Sequence, residues 1–364
     1  MCIAICATLY RLLMLALSPL VRDWDQQVGS PDDSALAGRS PLTETLRRAV
    51  MVEDATLRGK VAILSLWDVE KCFDSINITT LTKKATAMDF PLIPLLLALQ
   101  AHRAPRLLRA CGTTAEPIPR TGRSILAGCT LSTSMARAFM REAVGDFNES
   151  PQDGLLVAEH VDDIDQLVIK TNVTAAVVTA AKAGLQLANN LEKMGVKVSH
   201  KTTIVANRPK VAKRLKTFLR RHNVRVESKT RGEDLGVATT AGQSRAAHTI
   251  KKRIAKARRR AKRVGQLGRV HPAASRLYST GVTPPQAYDA PVCGASPTLI
   301  KAMRANCMAA INPPGRRACT ATTIRWRLAA AADPFIAESV RQVDAWFSIL
   351  DVLKRASTIQ VDLK

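Results

Sequence analysis

Three aspartates carry the chemistry that this chain is best equipped to perform. Asp68 closes a continuous apolar run, VAILSLW at 61–67, and Asp162-Asp163 fall between two short apolar segments, LLVAEHV and IDQLVI. A branched-aliphatic run that stops at an acid predicts a buried central strand. Two short strands with almost nothing between them predict a tight hairpin. Such rigid elements can project three acids toward one point. Like charges held a few ångströms apart raise one another's pKa, and a divalent cation is the usual means of keeping several ionised together. Two Mg²⁺ ions held this way, with Mn²⁺ as an alternative, would activate an attacking oxygen and stabilise a leaving pyrophosphate. Taken singly, an Asp-Asp pair is ordinary turn chemistry and an Asp after a strand an ordinary helix cap. Their order and neighbours have to decide.

The elements that would position these acids follow from spacing. A helix is expected in the N-terminal run MCIAICATLYRLLMLALSPLV, with Ile5, Leu9, Leu12, Leu13 and Ala16 on its packed face. Arg11 in the middle of that run, and no basic stretch before it, argue against a signal peptide or a membrane span. Residues 23–42 read as loop and 43–57 as helix. Asn77 is a candidate cap for a helix from about Leu81. A further helix follows Gly128, another covers 174–194 with Gly195 as its C-cap, and VKVSHKTTIVA reads as a strand. Residues 271–294 read as loop. A last helix at about 335–356 would bury Ile336, Val340, Val343, Phe347 and Leu350.

Length and charge narrow the function classes. The chain has 364 residues and a formal charge of +24, enough for two or three domains. Residues 1–200 are neutral, with 21 basic and 21 acidic residues, whereas 201–270 hold 22 basic and three acidic ones. A neutral body with one strongly basic segment suits a polyanion partner, nucleic acid before membrane. Within that segment Ile250, Ile254, Ala257, Ala261, Val264 and Leu267 form a stripe surrounded by Lys251, Lys252, Arg253, Lys256, Arg258, Arg259, Arg260, Lys262 and Arg263, a basic amphipathic helix. Aromatics are only 4% of the chain, which speaks against a broad stacking platform for single strands. The eight cysteines show no zinc spacing and read as reduced thiols, consistent with an intracellular, nuclear or cytoplasmic, non-secreted protein.

The acids and their surroundings together resemble the reverse transcriptases, especially those of non-LTR retrotransposons. WDVEKCFDSI supplies Asp68, with Phe73 five residues on and then Asp74; LAGCTLSTS supplies a glycine-centred turn at Gly128 with Leu131 and Ser132. HVDD supplies Asp162 and Asp163, with His160 where an aromatic is common. AGLQLANNLEKMGVKVSHKTTIV ends in Lys201-Thr202, and DLGV at 234–237 resembles the primer-gripping hairpin. Ala127 and Thr130 depart from the family's Gln and Pro. All five blocks stand in family order over about residues 61–240, and the resemblance implies that the chain starts just after the family's first fingers block, with Arg11 assigned to that block, so an N-terminally truncated element is expected.

The resemblance implies an α+β right-hand polymerase: partial fingers at 1–60, a palm at 61–240 with an antiparallel sheet backed by helices and a fingers insertion at about 85–125, a basic helical thumb at 241–290, and a helical C-terminal extension at 291–364. It implies RNA-directed DNA synthesis from dNTPs on an RNA template with a DNA primer. Asp68 and Asp162 would be the principal metal ligands, Asp163 an alternate ligand and Val69 a carbonyl ligand. Phe73 would exclude a 2′-hydroxyl, because an apolar ring clashes with that oxygen and leaves it unpaired. Gly128 would let the backbone approach the nucleotide, and Lys201 would meet the pyrophosphate. Lys251, Lys252, Arg253, Lys256, Arg259, Arg260 and Arg263 would lie along the duplex backbone. Two rivals stand beside this: an RNA-dependent RNA polymerase, and an inactive remnant that binds nucleic acid through residues 201–270.

Overall fold

The computed structural model describes residues 6–30, 32–107, 109–119, 122–149, 153–242, 244–311 and 319–355. The chain packs into two units, one formed by residues 1–40 and 60–229 and the other by 41–59 and 230–364. The fold is α+β with an antiparallel-rich sheet backed by helices, as expected.

The first unit is built on a five-stranded sheet of order β4-β5-β1-β6-β7. Its strands are β1 (Val61–Trp67), the hairpin β4 (Leu155–His160) and β5 (Asp163–Lys170), β6 (Thr203–Ala206) and β7 (Glu227–Ser228); β2 (Arg109–Ala110) and β3 (Thr113–Thr114) form a separate small hairpin. Every residue of β1 is buried, as its unbroken apolar run requires. It pairs antiparallel with β5, Val61 opposite Lys170 and Trp67 opposite Ile164, and with β6 on its other side. Helices α1 (Thr8–Val28), α3 (Cys72–Ser75), α4 (Ile78–Ala87), α5 (Leu92–Arg103), α6 (Ser132–Glu149), α7 (Val173–Lys193) and α8 (Pro209–Arg221) complete the unit. Asn77 caps α4 by accepting from the Thr80 amide, as expected, although that helix starts three residues earlier than the spacing predicts. Gly184 brings α7 against β1: a Cβ there would stand 3.0 Å from Trp67 Cζ2. The Trp67 indole in turn donates to Gln166 Oε1 at 3.0 Å, fixing β1 to β5.

Three expectations are corrected. On α1 the packed face is not the predicted one: Leu9, Leu12 and Leu13 are exposed, while Met14, Val21 and Trp24 are buried and Tyr10 and Leu17 pack against the same core. Ile5 lies outside the described residues. The helix is apolar on nearly every side, so periodicity alone cannot choose its face. Trp24 settles it, donating to the Met88 carbonyl at 2.7 Å and packing on Phe90. The helix also runs on to Val28, into the stretch read as loop.

The other two corrections fall in the second unit, which holds α2 (Pro41–Leu57), the hairpin β8 (Gly232–Asp234) and β9 (Val237–Thr239), and the helices α9 (His248–Gly268), α10 (Thr283–Ala287), α11 (Ala290–Cys293), α12 (Pro297–Ile311), α13 (Thr320–Leu328) and α14 (Pro334–Arg355). Residues 271–294 are not loop but a succession of short helical turns in which Tyr278, Val282, Ala287 and Ala290 are buried. Prolines start these turns at positions where no amide is needed, and so they shorten the helices without preventing them. On α14 the predicted face is turned outward, with Val340, Val343 and Phe347 exposed and Glu338 and Ile349 buried.

Helix α2 belongs to this unit because Arg48, 2% exposed, makes a bidentate pair with Asp234 at 2.9 and 2.7 Å, and Leu46 packs with Val237, Val292 and Ile349. The DLGV segment is a hairpin whose Leu235-Gly236 turn takes two positive φ values, 47° and 81°. Packing thus divides the chain at other points than the fingers, palm and thumb boundaries expected from the family pattern.

Candidate active site

Asp68 and Asp162 reach one cavity by independent routes. Asp68 is the first residue beyond β1, and its backbone is fixed from the β6 side: its carbonyl accepts from the Ser199 amide at 2.8 Å, and its amide lies 3.2 Å from the Thr202 hydroxyl. Ser199 also accepts from the Lys201 amide through its hydroxyl. One turn, residues 199–202, therefore pins Asp68 and presents Lys201 beside it. Asp162 lies at the two-residue tip between His160 and Asp163, which pair as the last rung of β4 and β5. The other tip residue, Val161, has φ +62°. A β-branched residue in the left-handed region is strained by about 1–3 kcal/mol and persists only where its surroundings hold it. Val161 is held by packing against the main core.

The cavity encloses about 330 Å³ and is lined by Asp68, Val69, Glu70, Lys71, Cys72, Phe73, Asp74, Arg106, Ile125, Leu126, Ala127, Asp162, Ser199, His200 and Lys201. Burial raises the pKa of Asp162, and the charge of Asp68 raises it further, with His160 acting in the opposite sense. The Cys72 thiol is pushed up to about 12 by burial and by the charges of Asp162 and Asp163. Negative charge is thus concentrated where the two strand ends meet. Val69 occupies the non-hydrogen-bonded position of its bridge to Val198, since the flanking bonds are made by Glu70 to the Lys197 carbonyl and by Ser199 to the Asp68 carbonyl. Sheet pairing leaves its carbonyl unused.

Among the described residues no three His, Cys, Asp or Glu side chains converge as a ligand set for a metal ion. Of the four carboxylates in the cavity wall, Asp68 and Asp162 stand where the two strand ends meet, and with the Val69 carbonyl they make a hard-oxygen set of the kind that fits Mg²⁺ or Mn²⁺. Asp163 heads β5 and is not part of the cavity wall, and neither is Gly128. Gly128 takes φ +110°, which turns the chain so that Leu126 and Ala127 face the cavity. Phe73, 9% exposed, forms part of the floor.

Sequence reasoning missed Arg106. The Arg106 strand segment bridges to Ile118, its guanidinium donates to Ser124 Oγ at 3.2 Å, and that hydroxyl donates to Asp74 at 3.0 Å. Its Nε is buried without a partner. The signal was weak: one arginine among several in HRAPRLLRA, distinguished only by its place after a proline-broken helix.

Of the basic residues assigned to nucleic acid, Lys251, Lys252, Lys256, Arg259, Arg260 and Arg263 lie exposed along α9. Arg253 turns inward: it donates to the Gly236 carbonyl at 2.7 Å, stacks on Tyr288 and approaches Asp289. The stripe beneath is buried from Ile250 to Ala261, while Leu267 is exposed and Gly265 takes the inner position. No helix among the described residues is long and apolar enough to cross a membrane.

The chain is similar to solved telomerases from two Candida species. Against the apo telomerase of Candida tropicalis the identity is 10%, with 93% of this chain and 55% of that chain covered and a TM-score of 0.45; against the same enzyme truncated from its C-terminal domain it is 13%, with 62% and 44% covered and 0.41. Against the Candida albicans telomerase in complex with a fragment of telomeric RNA it is 13%, with 95% and 57% covered and 0.36. The chain spans about half the length of these telomerase chains. No curated protein sequence matches it. The family model for reverse transcriptase (RNA-dependent DNA polymerase) matches residues 1–237, well over half of the chain, and on that match, together with the palm sheet that carries Asp68 and Asp162, the chain belongs to the reverse transcriptase family.

Proposed function

We propose that the chain is an RNA-directed DNA polymerase that adds dNTPs to a primer 3′-hydroxyl, with RNA as template and DNA as primer. The observation that carries this reading is the meeting of Asp68 and Asp162, from adjacent antiparallel strands, in a cavity whose wall also holds Phe73, Arg106 and Lys201. Divalent ions bound by Asp68, Asp162 and the Val69 carbonyl would supply the activation of the primer 3′-oxygen and the neutralisation of the departing pyrophosphate.

The chain's own groups do the rest. Lys201 and Arg106 place positive charge around the triphosphate, and Lys201 is positioned to pass a proton to the leaving pyrophosphate. Phe73 lies under the sugar and discriminates against a 2′-hydroxyl. Asp163, next to the tip, would serve as the alternate carboxylate, and Gly128 would shape the turn beside the base. The α9 cations would hold the RNA–DNA duplex through its phosphates.

The test is primer extension on poly(rA)/oligo(dT) with labelled dTTP and Mg²⁺, run beside Asp68→Asn and Asp162→Asn. Extension by the wild-type chain and its loss by at least ~10³-fold in both variants is the expected result, because each removes one of the two carboxylates that would hold the divalent ions. Duplex binding without extension by any of the three would replace this reading with that of a binding remnant. Incorporation of rNTPs in preference to dNTPs would replace it with an RNA polymerase.

A further inference from the structure

The basic segment 201–270, continuous in sequence, is split by the fold. Its second half is α9, whereas its first half is α8, which belongs to the other packing unit. Residues 208–229 hold nine Lys and Arg against the single acid Glu227. Val211, Ala212, Leu215 and Leu219 of α8 are buried, and the helix packs on α7 and β6. Lys210, Lys213, Arg214, Arg220 and Arg221 are exposed on the opposite side, and among the described residues Lys216 is the one α8 cation in an ion pair, with Glu227 at 2.7 Å. From Lys210 to Arg221 the helix carries this charge over about 16 Å. No residue of α8 lines the cavity that holds Asp68 and Asp162.

One feature separates this face from an ordinary solvated one. Phe218 is 38% exposed on a helix whose apolar stripe is already filled. It lies one turn from Arg214 and three residues from Arg221, and its ring stands 4.8 Å from that of His222 at a 42° tilt. An aromatic face left open between guanidinium groups, with a second ring beside it, matches the way single-stranded polynucleotides are held: cations on the phosphates and a base stacked on a ring. An anionic membrane would require several apolar groups on the exposed side, and α8 offers Phe218 alone.

We propose that the outer face of α8 is a binding surface for single-stranded RNA, separate from the catalytic cavity and from α9, with Phe218 as its stacking residue. In a family whose template is RNA, the strand not yet paired with primer is the available ligand. Binding here does not depend on catalysis, so the proposal stands or falls apart from the polymerase reading.

The experiment measures the affinity of the full chain for a fluorescein-labelled U20 RNA by anisotropy over a salt series. It compares wild type with Phe218→Ala and with a variant carrying glutamine at Lys210, Lys213, Arg214, Arg220 and Arg221. Phe218→Ala should weaken binding about tenfold, the loss of one stacked base. The charge variant should lower the salt slope by roughly 3, as loss of four or five phosphate contacts on a single strand does. Crosslinking of 4-thiouridine RNA to the wild-type chain should map to the peptide containing Phe218, a readout that needs no variant to fold. Unchanged affinity and slope in both variants, or crosslinks confined to other peptides, would overturn the proposal. So would tighter binding to dT20 than to U20, or a charge variant that loses only its binding to phosphatidylserine vesicles.

Discussion

Phe73 and Arg106 line the same cavity and were not equally legible. Phe73 stands five residues after Asp68, a spacing that marks it in the bare sequence, and the short helix α3 delivers its ring to the cavity floor. On the proposed function, replacing it with alanine would remove the apolar wall against a 2′-hydroxyl. Phe73→Ala should therefore raise incorporation of rUTP relative to dTTP by about 100-fold in single-turnover extension, in line with what a desolvated, unpaired hydroxyl costs; unchanged sugar choice would remove Phe73 from the selectivity role. Arg106 becomes visible only once the segments at 106 and 118 pair and Ser124 links it to Asp74. Such a contact depends on loop geometry that no local pattern encodes. Arg106→Ala should raise KM for dTTP about tenfold with kcat changed far less, the mark of a group that binds phosphate in ground and transition states alike; an equal fall in kcat and kcat/KM would place it in the chemical step instead.

At the scale of elements, the hairpin that carries Asp162 is braced from its open edge. Asp33 and Ser34 lie along β4, with the Ser34 amide donating to the Glu159 carbonyl at 2.9 Å and the Ser34 hydroxyl 3.0 Å from His160 Nδ1. Arg137 of α6 locks this strip in place, bonded to Asp33 at 2.5 Å and to Asp25. Arg137 and Asp33 are buried and Asp25 is half-buried, so Arg137→Leu strands one buried and one half-buried carboxylate and should cost about 3–5 kcal/mol by urea unfolding. A loss below ~1 kcal/mol would mean that the brace is peripheral. The hairpin itself was legible from two apolar runs around Asp-Asp, whereas the brace was not, because it joins residues more than 100 positions apart. Helix α1 shows the other limit of periodicity. Met14→Ala should cost about 2–5 kcal/mol, whereas Leu12→Ser, on the face that spacing favoured, should stay within about 0.5 kcal/mol; the reverse order would restore the predicted face.

At the scale of the whole molecule, the strand carrying each acid could be anticipated, since β1 and the β4–β5 hairpin announce themselves by local composition. The partition into units could not. Helix α2 is assigned by Leu46 and by Arg48 reaching Asp234, contacts about 190 residues apart that leave no trace in local spacing. Each unit also buries an acid that titrates near neutrality. In the first, Glu159 is pushed up to about 7 by burial and by the charge of Asp33; in the second, Glu338 is pushed up to about 7 by burial, against the opposing charge of Arg341. A glutamate with a raised folded-state pKa binds more protons folded than unfolded between its ordinary value near 4.5 and 7. Its contribution is therefore fully present at the acid end of that window and is lost as pH rises through about 7. Thermal unfolding should show Tm falling between pH 5 and pH 8. Glu338→Gln should raise Tm at pH 8 by about 2–4 °C for each ~1 kcal/mol recovered, and leave it nearly unchanged at pH 5. Because the two glutamates lie in different units, Glu159→Gln should flatten the pH dependence of one calorimetric transition and Glu338→Gln that of the other. Variants that shift Tm equally at both pH values would show that neither carboxyl titrates on unfolding, and the burial of these acids would then be a matter of packing alone.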